Sequence, residues 1–259
     1  MPTSLFDNRK SVIHRLNPVT KLVALLAIIV IVFAIPVWWV SAIVLVVVIV
    51  PAAVISGSGG RLLSLSLKIL IPILLVLFIV QGLTFPGGET ILWRWGVLKL
   101  TTEGLLFALG VGSRIIVLIL ASILLVLTTH PGQLMSALSE HGMSPKFAYI
   151  ISSTLQLIPA FSDRANSILL AQQARGLSLK GSPFRRIKVM LPLLSPLVLG
   201  MFTDVEERST AMEARAFGSP AKRTSLIPVP DTTLQRVLRW VFVALALGAI
   251  ATPILMGIL

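Results

Sequence analysis

The sequence lacks cysteine altogether, and charged residues make up only 12% of its 259 positions. Without cysteine, the chain forms neither disulfide bonds nor thiolate metal sites. Charged residues normally account for about 25% of a soluble domain, because they cover the surface that contacts water. The shortage of charge therefore argues against a soluble protein of this length.

The motifs of several enzyme classes are also missing. No segment matches the G-x-x-x-x-G-K-[ST] phosphate loop, so we expect the chain not to hydrolyse ATP itself. The three histidines, His14, His130 and His141, do not show the H-E-x-x-H spacing of a zinc site. None of the long apolar segments contains a histidine, aspartate or glutamate that would serve as the base of an intramembrane hydrolase. The sequence predicts a non-catalytic protein without a cofactor or a metal.

Hydrophobic residues are abundant: they make up 56% of the chain, and the mean hydropathy is +0.96. A membrane-spanning helix needs roughly 20 apolar residues, with about 17 as the lower limit. Five segments approach or exceed this length, at about residues 21–35, 37–55, 67–83, 104–128 and 237–259. Only Pro36 separates the first two segments, and a proline at that place favours a sharp reversal between two helices. The sequence predicts an all-α membrane protein with about five transmembrane helices.

The net charge of +12 suggests two kinds of partner, a nucleic acid or the cytoplasmic side of a membrane. The N-terminal arm, the loop after the second span and the long segment after the fourth span are all net basic. These regions fall on one side of a membrane if the spans alternate in direction. Because basic loops stay in the cytoplasm, we expect a multi-pass protein of the cell membrane with a cytoplasmic N-terminus and no nucleic-acid partner.

This topology divides the chain into three regions. Residues 1–128 form the N-terminal arm and the first four spans, and residues 236–259 form the last span. Between them, residues 129–235 are predicted to form a cytoplasmic helical domain, because apolar residues recur there at spacings of three and four. Breaks between its helices are expected at Gly142, Pro145, Pro159 and Gly176.

An apolar run of about sixteen residues around Pro192 and Pro196 lies within this domain and is nearly long enough to be a thin sixth span. A lone additional span would place the charged segment "DVEERSTAMEARAFGSPAKR" outside the cell and reverse the last helix. We therefore expect a long amphipathic helix that lies against the membrane face.

Two Ala-Arg motifs occur in the predicted cytoplasmic domain, each at the end of a predicted helix. The first motif is Ala174, Arg175 and Gly176; the second motif is Ala214, Arg215 and Ala216. A glycine past a helix end and a cation in the last turn are ordinary capping features, which would fully explain one copy. Two exposed copies in one domain favour a pair of docking helices, since a planar guanidinium can reach carboxylates or carbonyls in a partner's groove.

With these motifs, the chain resembles the transmembrane T subunit of energy-coupling-factor (ECF) importers, which are ABC-type transporters. The segments "RLNPVTKL", "LTTHPGQLMSAL" and "LQLIPAFSDRANSILLAQQARG" carry the resemblance together with the two motifs. The resemblance implies that the motifs end two coupling helices and dock on two cytosolic ABC ATPase subunits. It also implies a membrane-embedded substrate-binding S subunit that recognises a vitamin or metal ion. The second motif has Ala216 where glycine is common in the family, which predicts a weaker helix stop.

An alternative interpretation is a permease subunit of a conventional ABC importer. The segment "EARAFGSPAKRTSLIPVP" is similar to the Glu-Ala-Ala loop with which such permeases dock on an ATPase. Those permeases carry one such loop, whereas this chain has two Ala-Arg motifs. The second copy favours the T subunit.

Arg114 lies near the middle of the fourth predicted span. An arginine at the centre of a bilayer costs about 2.5–3.5 kcal/mol on insertion scales, so it must contact protein, water or a carbonyl, or extend to the membrane surface. We expect a structural pairing within the helical bundle. On the same span, Gly104, Gly110 and Gly112 would allow another helix to approach closely.

Overall fold

In the computed structural model, residues 11–86, 90–95, 98–177, 183–219 and 230–255 are described. They form two compact units. The first unit contains Met1–Ala137 and Val229–Leu259, and the second contains Leu138–Pro228. The assignment of residues 129–235 to the cytoplasm stays a prediction, because the structure contains no membrane.

Helices make up nearly all of the described structure, as the sequence predicts. In the first unit they are α1 (Val12–Arg15), α2 (Pro18–Ala34), α3 (Trp38–Ser56), α4 (Gly59–Thr84), α5 (Thr102–Thr128) and α9 (Thr233–Leu255). Helix α6 (Pro131–Glu140) crosses the boundary between the units, and the second unit contains α7 (Pro145–Ala174) and α8 (Pro183–Ala214). The middle of α3, Leu45–Ile49, is a π-helical turn.

Four of these helices, α3, α4, α5 and α9, are long and apolar enough to cross a membrane. Helix α2 is apolar but has 17 residues, so it is about 26 Å long and only just meets the lower limit for a span. The prediction of an all-α membrane protein is confirmed. Helix α4 begins at Gly59, earlier than the predicted residue 67, which was set by apolar composition alone. Its first turns carry the basic residues Arg61 and Lys68, whose side chains are exposed, so the helix extends beyond the apolar stretch.

The start of α2 is fixed by the residues around Pro18. Asn17 caps the helix by accepting a hydrogen bond from the Val19 amide at 2.9 Å, and Pro18 occupies the first turn, where a missing N–H costs nothing. Asn17 also binds the start of α9. Its backbone N–H donates to Gln235 Oε1 at 3.2 Å, and its side-chain amide donates to the Pro230 carbonyl at 3.4 Å. Two helices at opposite ends of the sequence therefore pack side by side.

Two small clusters of buried apolar residues hold the first unit together. The larger joins α2, α3 and α5 through Ile28, Val32, Val44, Ile49, Val117 and Ala121. The smaller joins α3, α4 and α5 through Ala53, Leu62 and Leu127. Most other large apolar side chains on these helices are exposed, such as Val54 at 71%, which is the pattern of a surface that contacts lipid.

Helices α4 and α5 approach each other most closely at two of the three expected glycines. A Cβ atom at Gly104 would lie 2.4 Å from the Gln81 carbonyl oxygen of α4, and one at Gly112 would lie 3.2 Å from Leu74. A Cβ atom at Gly110 would meet no atom of the described residues within 4 Å. Gly104 and Gly112 therefore permit the contact, as small residues do in membrane helices, and Gly110 does not contribute to it.

A short antiparallel hairpin joins α4 to α5, in the segment between the third and fourth predicted spans, for which the sequence predicted no strand. Its strands are β1 (Ile91–Trp95) and β2 (Leu98–Thr101), with Arg94 opposite Lys99. The segments are only five and four residues long, and this is too short for a clear period-two pattern of hydrophobicity.

The second unit consists mainly of α7 and α8, with 30 and 32 residues. The expected break at Pro159 is wrong, because this residue lies inside α7. A proline removes one backbone hydrogen bond and kinks a helix, but the packing of a long helix against a neighbour can hold it together across that point. Within the described residues, α8 is not among the helices apolar enough to cross a membrane.

Candidate docking site

The first motif ends α7 in a Schellman arrangement. The Gly176 amide donates to the Gln173 carbonyl at 3.0 Å, and the Leu177 amide donates to the Gln172 carbonyl at 3.0 Å. These two bonds close the last turn and leave Arg175 as the C-cap residue. Gly176 has φ +92°, in the left-handed region that glycine adopts without steric cost.

The second motif ends α8 with the same two bonds. The Ala216 amide donates to the Glu213 carbonyl at 2.9 Å, and the Phe217 amide donates to the Met212 carbonyl at 2.9 Å. Arg215 thus has the same position at the end of α8 as Arg175 has at the end of α7. Sequence similarity between the motifs is matched by the same backbone hydrogen bonds.

Ala216 takes the left-handed conformation that Gly176 takes in the first motif. Its φ is +55°, and it is the only non-glycine residue with positive φ in the described part of the chain. The left-handed conformation costs an L-residue with a Cβ atom roughly 1–2 kcal/mol. The helix nevertheless stops at the equivalent position, so the substitution of alanine for glycine adds strain without moving the stop.

All six residues of the two motifs are exposed. Neither Arg175 nor Arg215 forms an ion pair or a side-chain hydrogen bond within the described residues. Both side chains are exposed at the ends of their helices, so they are accessible to a partner. Each cation also lies where it interacts favourably with the dipole of its own helix.

Helices α7 and α8 contact each other through a polar group at one end of a groove. Arg164 of α7 donates to the Gly200 carbonyl of α8 at 3.2 Å and forms an ion pair with Asp204. A Cβ atom at position 200 would lie 3.1 Å from the Arg164 guanidinium carbon, so the glycine lets the charged group lie against the backbone of α8. The ion pair is nearly half exposed, and its role is to fix the register of the two helices rather than to add much stability.

An aromatic pair closes the other end of this groove. The rings of Tyr149 on α7 and Phe217 after α8 lie with their centroids 5.0 Å apart and are tilted by 57°. Between the two contacts, the groove encloses about 360 Å³ and is lined largely by apolar side chains such as Leu157, Phe161 and Val205. Phe217 follows the second motif directly, so this motif is held near the start of α7.

Comparison with known proteins gives the family. The model of the CbiQ family, described as "Cobalt transport protein", matches residues 9–226, which include both motifs. The chain belongs to the CbiQ family. Membership makes it a transmembrane component of a transporter, in agreement with the apolar helices of the first unit.

Curated relatives of this CbiQ-family chain carry the name "Energy-coupling factor transporter transmembrane protein EcfT". The protein of Limosilactobacillus fermentum is 34% identical over 233 residues, which cover 83% of each chain. The protein of Lacticaseibacillus paracasei is 33% identical over 82% of this chain and 83% of its own length. EcfT 1 of Listeria monocytogenes is 31% identical over 90% of this chain and 87% of its own length.

Arg114 of the CbiQ-family chain has no hydrogen-bond partner for its buried Nε atom among the described residues. The expected pairing within the bundle is therefore not seen there, and the role of Arg114 stays a prediction.

Sequence analysis also missed the contacts of Arg164 and Phe217. Opposite charges on neighbouring helices were the only signal for the Arg164–Asp204 pair, and helix register decides whether such residues meet.

Proposed function

We propose that the chain is the energy-coupling subunit of an ECF-type importer, with each Ala-Arg motif docked on one of two cytosolic ABC ATPase subunits. The observation that carries the proposal is that two separate helices end with the same hydrogen bonds and the same exposed C-cap arginine. A helix end with exposed alanine beside arginine can enter a groove closely, and the guanidinium fork can bind two oxygens at its floor.

The pair of α7 and α8 is suited to transmitting motion between the ATPases and the membrane. The contact of Arg164 with Gly200 and Asp204 joins the two helices, so that a displacement of one motif moves both. Exposed apolar side chains on α8, including Leu199, Phe202 and Val205, provide a surface for a membrane-embedded S subunit. That subunit would bind the vitamin or metal ion, and this chain would be non-catalytic.

The main test is replacement of the motif arginines. We expect Arg175→Ala and Arg215→Ala each to weaken ATPase binding by roughly 2–4 kcal/mol, as loss of a desolvated charged contact does at a hot spot. The double variant should lose transport. Lysine should restore little, because a point charge does not reproduce the planar fork. The measurements are pull-down of the ATPase subunits and substrate uptake at matched expression.

A suitable control is Arg236→Ala, since Arg236 is an exposed arginine outside both motifs. It should bind the ATPases and transport like the wild type. If the double motif variant also assembles and transports normally, the two arginines are only helix caps, and their loss would cost at most about 1 kcal/mol of local stability.

The orientation of the chain needs a separate test. The N-terminus and the second unit would be cytoplasmic in the cell membrane, because the net-basic regions prefer that side. Since the chain has no cysteine, Ser219→Cys introduces a single label next to the second motif. A membrane-impermeant maleimide should modify this cysteine in inverted vesicles and leave it unmodified in intact cells. Modification in intact cells would show that the second motif lies outside the cell, and this would exclude cytosolic ATPases as its partners.

A further inference from the structure

A second concave site lies in the first unit, away from both motifs. It is a partly open groove of about 180 Å³ between α1, α2, α3, α5 and α9. Its walls are almost entirely apolar and include Leu16, Leu25, Val48, Leu124 and Phe242. Val48 belongs to the π-helical turn of α3, and such turns are frequent at functional sites.

One part of the groove is polar, and its polar groups are not fully used by the protein. Lys21 donates one hydrogen bond to the Thr128 carbonyl at 2.7 Å, but an ammonium group has three donors. Lys21 forms no ion pair within the described residues. The preceding residue, Thr20, also lines the groove and is only 1% exposed, and its hydroxyl has no hydrogen-bond partner among the residues that the structure describes. Buried polar groups are normally paired, so an unpaired hydroxyl and an ammonium group with unused donors that line one groove indicate a missing partner.

We propose that this groove binds one anionic phospholipid, with the phosphate at Lys21 and Thr20 and part of an acyl chain along the apolar walls. The charge of Lys21 complements a phosphate, and basic pockets between membrane helices are established headgroup sites. Pockets for drug-sized ligands enclose about 300–1,000 Å³, so this groove is too small for such a molecule. A lipid needs to insert only part of one chain, because the rest remains in the bilayer. The proposal does not depend on the ATPase-docking function.

The test compares two lipids that differ in headgroup charge. The purified full chain in detergent is titrated with phosphatidylglycerol or with phosphatidylcholine of the same acyl chains, and bound lipid is counted by native mass spectrometry. We expect one phosphatidylglycerol per chain, bound about tenfold more tightly than phosphatidylcholine, because the choline cation offsets the phosphate charge that Lys21 would bind, whereas phosphatidylglycerol is net anionic. Lys21→Met should remove the preference while leaving residual binding of both lipids.

A second variant tests the apolar part of the groove without changing Lys21. Ala52 lines the groove, and Ala52→Leu fills it with three additional carbon atoms, so both lipids should bind several-fold more weakly. The control is Arg61→Met, which removes an exposed basic residue outside the groove and should leave the preference unchanged. Circular dichroism and the elution volume of each variant show whether it is folded.

Three results would overturn the proposal. The first is equal binding of the two lipids by the wild type. The second is an unchanged preference in Lys21→Met, or unchanged binding of both lipids in Ala52→Leu. The third is competition by free sn-glycerol 3-phosphate at the same concentration as the lipid, which would make the groove a site for a soluble phosphate compound.

Discussion

The ends of α7 and α8 have the same hydrogen bonds but reach them in different ways. Helix α7 ends with Gly176, which adopts positive φ without strain. Helix α8 ends with Ala216, which adopts positive φ at a steric cost, and the next residue, Phe217, packs on Tyr149. The comparison indicates that local sequence determines the first stop, whereas tertiary packing supports the second.

Among variants at the two helix ends, Phe217→Ala should have the largest effect on local stability. The variant removes the ring contact with Tyr149 and the apolar residue that follows the α8 stop, at a cost of roughly 1–3 kcal/mol. This is below the cost for a core phenylalanine, because Phe217 is only half-buried. Hydrogen exchange at residues 212–217 should accelerate by about five- to 150-fold, as a change of roughly 1–3 kcal/mol requires.

The matched control for that variant is Leu177→Ala, at the equivalent position after α7. It removes a smaller side chain and no ring contact, so exchange at residues 172–177 should change by only a few-fold. Equal effects of the two alanine variants would show that the aromatic pair gives the α8 end no special support.

An intermediate effect is expected from Gly176→Ala. The variant places a Cβ atom at a residue with φ +92°, which should cost roughly 1–2 kcal/mol. A Cβ atom there would meet nothing within 4 Å in the part of the chain that the structure describes, so the expected cost comes from the backbone. Exchange of the Gly176 and Leu177 amides should accelerate by about five- to thirty-fold. Unchanged exchange would mean that α7, too, is held by packing.

The smallest effect is expected from Ala216→Gly, and it should have the opposite sign. Glycine relieves the left-handed strain but increases the freedom of the unfolded chain, so the net gain should be below about 1 kcal/mol. Exchange of the Ala216 and Phe217 amides should slow by about two- to five-fold. Faster exchange in this variant would exclude strain at Ala216 as the difference between the two helix ends.

Sequence reasoning was most successful where one residue or one composition decides the outcome. Apolar length predicts the membrane helices, and Pro36 predicts the boundary between α2 and α3, since α2 ends at Ala34 and α3 begins at Trp38. The Gly176 stop is likewise local. Sequence reasoning failed at Pro159, because the packing around a helix decides whether a proline ends it. It also failed to predict the β1–β2 hairpin, because the two strands are short.

By itself, the sequence determined that this chain is a membrane protein of mainly helical structure, that it belongs to a transporter family, and that it carries two Ala-Arg motifs. Hydrophobic length and local capping chemistry depend on neighbouring residues, so they can be recognised without a fold. Only the tertiary structure decided that Arg164 lies against Gly200, that Phe217 packs on Tyr149, and that Lys21 of α2 donates to the Thr128 carbonyl at the end of α5. These features join residues far apart in the chain, and the register of packed helices, which no local pattern encodes, determines which of them meet.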